Sequence, residues 1–220
     1  MQQLRAGRLS RRLTQLTAGL VLYGLSMGLM FRSQLGLDPW DVFHAGVAEH
    51  VPLTFGQVVI ATGAVVLLLW IPLKQWPGLG TVANAVLIGL ATDATLAVVS
   101  TPDSLSARMA MLVAGIGLNA VATASYIGAQ LGPGPRDGLM TGLVGRTGLS
   151  VRLVRTSIEV SVLVVGFLLG GTVGIGTVLY AVGIGPMVQV LLPLFETKLV
   201  KPESDPYFEI MQYRWAEPAW

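Results

Sequence analysis

The chain has no cysteine among its 220 residues, which removes disulfides, thiolate metal sites and cysteine nucleophiles together. Histidine is nearly missing as well, with His44 and His50 the only two. Neither a His-Glu-x-x-His nor a Gly-x-Ser-x-Gly occurs, so no enzymatic activity is expected. Charged residues make up 12%, against roughly a quarter in soluble domains. Hydrophobic residues make up 53% and the mean hydropathy is +0.67, so the chain cannot cover itself for water. A polytopic membrane protein follows, with the lipid bilayer as its first partner. The basic pI of 9.2 does not signal nucleic acid, because the arginines flank apolar segments instead of clustering among aromatics.

Six segments are long enough to cross a hydrocarbon core roughly 30 Å thick. They are Thr14–Phe31, Phe55–Leu73, Leu79–Val99, Met109–Ile127, Val151–Gly170 and Val173–Leu192. The start, MQQLRAGRLSRRLTQLTAGLVLYGLSMGLMF, has a basic flank but too long an apolar run for a signal peptide, and reads as an uncleaved first span. Two shorter stretches, Pro39–His50 and Pro135–Arg146, cannot span as helices. The linkers KQWPG and GGTVG predict tight hairpins between spans two and three and between spans five and six.

Lysine and arginine orient this arrangement. Arg5, Arg8, Arg11, Arg12, Lys74, Arg136, Arg146, Arg152, Arg155, Lys198, Lys201 and Arg214 fall on one side, and only Arg32 and Arg108 on the other. Both termini are therefore expected in the cytoplasm, with Trp70 and Trp76 in an interfacial belt. The organisation is a basic N-terminus over 1–13, a first repeat over 14–99, a second over 100–192 and a cytoplasmic tail over 193–220.

The repeat is explicit. QLGLDPWDVFHAGVAEHVPLT starts at Gln34, and QLGPGPRDGLMTGLVGRTGLS starts 96 residues later at Gln130. In the same register Gly78-Leu79-Gly80-Thr81-Val82 falls on Gly174-Ile175-Gly176-Thr177-Val178. Each half has three spans, an odd number, so the halves enter the membrane from opposite sides. The expected fold is thus all-α, with six spans as two inverted three-helix repeats, an architecture recurrent in transporters.

Each repeated loop carries a helix start. Asp38 is placed as N-cap, Pro39 as the first helical residue and Asp41 as an N3 acceptor reaching back to a free amide. Gly134, Pro135 and Asp137 take the corresponding places. Two helices lying flat at the interface fit this pattern. So do two re-entrant half-helices whose N-termini meet at the protein centre. Arg155 and Glu159 stand one turn apart on span five, as a structural pair at membrane depth or with Glu159 in a proton relay. Asp93 on span three either lines a pathway or snorkels outward. Asn119, Thr123 and Tyr126 share a face of span four, suited to interhelical hydrogen bonds. His44 is a polar position on the first short helix. The run GGTVGIGTVLYAVGIGP has no Lys-Ser/Thr ending and suits close helix packing rather than a nucleotide loop; no cofactor or metal is expected.

The stretch GPRDGLMTGLVGRTGLSVRLVRTSIEVSVLVVGFLLGGTVGIGTVLYAVGIGPMVQ resembles the YczE/YyaS/YitT family of bacterial integral membrane proteins, and GLDPWDVFHAGV resembles its YczE-like branch. The resemblance implies a multi-pass protein of the bacterial plasma membrane and brings no established site residues. Two functions stand after this. One is a transporter or channel for a small solute, with Asp41, Asp137, Arg136, Glu159 and Asp93 near the pathway. The other is an accessory protein that stabilises or regulates a membrane partner, as a homodimer or with another chain. A membrane enzyme is a distant third.

Overall fold

The computed structural model describes residues 7–199, so the expectations for the chain ends beyond them lie outside the described residues. Eight helices fill this stretch: α1 Leu9–Ser33, α2 Pro39–Ala48, α3 Phe55–Trp70, α4 Leu79–Val98, α5 Leu105–Gly128, α6 Pro135–Thr147, α7 Val151–Leu168 and α8 Ile175–Phe195. Their starts follow from side chains that accept the free first-turn amides. Asp38 takes the amides of Trp40 and Asp41, Thr54 that of Gln57, Ser104 that of Ala107 and Ser150 that of Leu153. Corresponding helices begin 96 residues apart: Leu9 and Leu105, Pro39 and Pro135, Phe55 and Val151, Leu79 and Ile175.

Long apolar stretches with small residues make the centre. α1 packs along α5 and α4, and Leu20, Met27 and Leu112 are fully enclosed there. Glycines set the spacing: a Cβ on Gly24 would meet Ala91 and the backbone of α4, and one on Gly115 would meet Met30. Apolar side chains also face outward, including Val82 and Leu90 on α4 and Val178, Val182, Val190 and Leu194 on α8. A surface of this kind needs an apolar solvent. Four helices are long and apolar enough to cross a membrane, namely α1, α4, α5 and α8.

Three sequence expectations change. The second segment is helical only to Trp70, giving 16 residues, or about 24 Å at 1.5 Å per residue, and α7 has 18. Both are shorter than the expected spans. The second hairpin does not pack: α3 lies along α4, but α7 leans on α2 and α6 rather than on α8. The reason is local. In the first half a Cβ on Gly56 would run into the Gly89 carbonyl, so α3 and α4 touch backbone to backbone. The position matching Gly56 is Arg152, which cannot allow that approach. Finally, Trp70 does not face outward as a belt residue would. It is 2% exposed, and its Nε1 donates to the Pro135 carbonyl at 3.0 Å.

Candidate functional site

The start of α2 takes the predicted form at Asp38 and departs from it at Asp41. Asp38 Oδ1 accepts from the amides of Trp40 at 2.9 Å and Asp41 at 3.1 Å. Asp41 does not reach back to the Asp38 amide; its Oδ1 lies 3.1 Å from Nδ1 of His44, one turn on. In α6 the N-cap is Gly134, which has no side chain. Asp137 does the capping there, its Oδ2 accepting from the Gly134 amide at 3.2 Å and the Tyr126 hydroxyl at 3.3 Å. The two matched aspartates therefore have different partners.

Arg136 joins the halves. Its guanidinium nitrogens lie 3.7 Å from Asp38 Oδ1 and 3.8 Å from Asp41 Oδ1, and its carbon sits 5.1 Å from the centroid of the Trp40 ring. These separations exceed hydrogen-bond length, so the attraction is between charges and between cation and ring face. Trp40 and Arg136 occupy the same position of the two repeats. Asp38, Asp41 and His44 are buried, so water screens this cluster little. Of three buried side-chain polar atoms lacking a hydrogen-bond partner among the described residues, two are Asp38 Oδ2 and Asp41 Oδ2. A small cavity of about 30 Å³ lies alongside, lined by Trp40, His44, Thr62, Asn84, Pro135 and Arg136. It has room for a water-sized group or two and nothing larger. Among the described residues no group of His, Asp or Glu side chains is disposed to hold a metal ion.

The remaining candidates lie elsewhere. Asp93 caps α3, accepting from the Gly56 amide at 2.8 Å and from the Thr54 hydroxyl. Arg155 Nε donates to Glu159 Oε1 at 3.0 Å, but the side chains are 34% and 40% exposed, not enclosed by protein. A double-mutant cycle with Arg155→Gln and Glu159→Gln, read by thermal unfolding, should give a coupling below about 1 kcal/mol where water reaches the pair, as for solvent-exposed pairs. A coupling above about 3 kcal/mol would mean that the pair is desolvated in the membrane. Asn119 donates to Ser26 at 2.9 Å and accepts from Tyr180 at 3.0 Å, linking α1, α5 and α8 as the shared polar face suggested.

Sequence reasoning passed over three members of the cluster. His44 follows Asp41 at i+3, a helical-neighbour spacing that could have paired them. Trp40 matches Arg136 in the repeat, and a cation and an aromatic at equivalent positions are candidates to meet on an axis between halves. Asn84 carries no such signal.

The chain matches the sequence profile of a family of unknown function, DUF6198, over residues 10–193. It is 43% identical over 173 residues to an uncharacterized protein of Haemophilus influenzae, covering 79% of each chain. It is 32% identical over 178 residues to the uncharacterized membrane protein YczE of Bacillus subtilis, covering 80% of this chain and 83% of that one. No solved structure matches it. With its apolar outer surface and four spanning-length helices, the chain is a multi-pass membrane protein and belongs to the DUF6198 family, in keeping with its YczE-like motifs.

Proposed function

We propose that the protein moves a small solute across the bacterial plasma membrane, as a transporter or channel rather than an enzyme, through a pathway between two inverted halves. The observation that carries this reading is the meeting of Arg136, at the start of α6, with Asp38 and Asp41, at the start of α2. Those starts belong to opposite halves. If the halves enter from opposite sides, their loops can touch only by descending to the middle, so α2 and α6 are re-entrant and their N-termini face a central site.

Paired contacts support the inversion. Arg12 donates to the carbonyls of Ala129 and Gln130 at 2.8 and 2.7 Å, and its match Arg108 donates to those of Ser33 and Gln34 at 2.7 and 3.0 Å. The Gly80 amide binds the Leu131 carbonyl at 2.8 Å, and the Gly176 amide binds that of Leu35 at 2.8 Å. Gln34 and Gln130 both sit at φ 53, followed by Gly36 and Gly132 at φ 114 and 125. Each contact recurs with the halves exchanged, the property of a two-fold relation. Six crossings then require α3 and α7 to complete the membrane with their flanking turns.

Both termini in the cytoplasm follow from the arginine bias. Cysteines placed at the exposed Ser106 and Thr147 should label from opposite sides of intact cells with an impermeant thiol reagent, Ser106 from outside. Labelling from one side would end the inverted reading. The small cavity favours one further reading, an accessory protein that steadies a membrane partner. Uptake of small metabolites into proteoliposomes supports transport; stable co-purification with one membrane protein and no uptake supports the accessory role.

A further inference from the structure

The charges around α2 do not balance. Asp38 and Asp41 bring two carboxylates, and Arg136 is the one guanidinium facing them. Among the described residues no second cation is within 4 Å of the pair, and Asp137, next to Arg136 on α6, adds a further carboxylate to that side. On α2 itself His44 lies against Asp41, and a neutral imidazole can donate from Nδ1. α3 has no ionisable residue, and α1 and α8 bring Tyr23 and Tyr180 into electrostatic reach. α7 meets α2 at Gly166, whereas Arg152, Arg155 and Glu159 belong to its first turns.

Two buried carboxylate oxygens, Asp38 Oδ2 and Asp41 Oδ2, also lack a donor, and both carboxylates lie within 4 Å of the same guanidinium. An ionised carboxylate only accepts, so two of them cannot satisfy one another. A single proton on one supplies the missing donor and removes the surplus charge at once. We propose that Asp38 and Asp41 hold one exchangeable proton between them, making the cluster a proton-binding site. The proton leaves when a cationic group replaces it or when Arg136 moves closer, and it returns when that cation withdraws. This inference rests on reading the cluster as the working site, and it gives proposed transport a coupling ion.

The test uses the purified full chain in lipid nanodiscs and infrared spectroscopy of the carbonyl stretch of protonated carboxyls. Wild-type protein should show a buried carboxylic-acid band near neutral pH that shifts in D₂O and disappears as the pH is raised. Asp38→Asn and Asp41→Asn should each lose it, because the remaining carboxylate is then balanced by Arg136. Loss in both variants, with unchanged melting in sodium and in choline chloride, supports the shared proton. Absence of the band in wild type, or its survival in both variants, overturns the inference. So does a rise in melting temperature with sodium alone, which would put a metal cation in the proton's place. None of these readouts needs a transported solute: a band without any uptake leaves the proton site standing and counts against transport.

Discussion

Arg136→Leu should destabilise the protein by about 3–5 kcal/mol, with loss of any uptake, because it leaves the buried acid pair and its remaining negative charge without a cation. Asp38 and Asp41 are 1% and 0% exposed, so neither can recover water without local opening. The Trp40 ring loses its charge contact as well, for roughly 0.5–2 kcal/mol. Arg136→Lys should fall between the two, keeping the charge but not a planar group that covers a ring and faces two acids. Adding Asp38→Asn and Asp41→Asn to Arg136→Leu should restore most of the stability, since asparagine still caps α2 and no unpaired charge remains. Asp137→Asn is the control. It keeps an amide oxygen to accept from Gly134 and loses only the negative charge at that helix start, for at most about 1 kcal/mol. Unfolding in detergent reads all four. Equal effects of Arg136→Leu and Asp137→Asn would remove the central ion cluster from the account.

Most of the helix boundaries were legible because they are written locally. An acceptor before an apolar run, proline at the first helical position and glycine beyond the end each act on the nearest amides. The 96-residue register was equally plain, and Gln34 and Gln130 share the same left-handed backbone. Packing was less legible. Arg152 in place of Gly56 keeps α7 off α8, but its effect depends on how near the partner backbone comes, which hydropathy does not record. Asp41 shows the same limit from the other direction. Its position says N3 acceptor, yet His44 one turn on and Arg136 from the other half draw its carboxylate away from the Asp38 amide. In α6 the glycine cap leaves that task to Asp137. A repeat conserves places, and the side chain at a neighbouring place decides what each one does.

The contacts between short and long helices lead to the second large effect. A Cβ on Gly166 would strike the backbone of Val42 and Phe43, and one on Gly138 would strike the Trp70 ring. In the repeat Gly138 matches Val42 and Gly166 matches Trp70. The two contacts are therefore one contact with the large residue placed on opposite sides. The next turn agrees, since Gly46 meets Leu169 while Gly142 meets Leu73. Gly138→Val should overpack the second contact, by about 1–3 kcal/mol or more because the indole is held at Pro135. Trp70→Gly should leave a cavity costing about 3–5 kcal/mol. Together they rebuild on α6 and α3 the valine–glycine pairing that α2 and α7 already use. The double variant should consequently be more stable than the sum of the single losses by about 2 kcal/mol, the size of coupling expected of residues in contact. Thermal unfolding of the three variants measures it. Simple additivity would mean that the two contacts differ in backbone geometry and that the exchange of volume between the halves is coincidental.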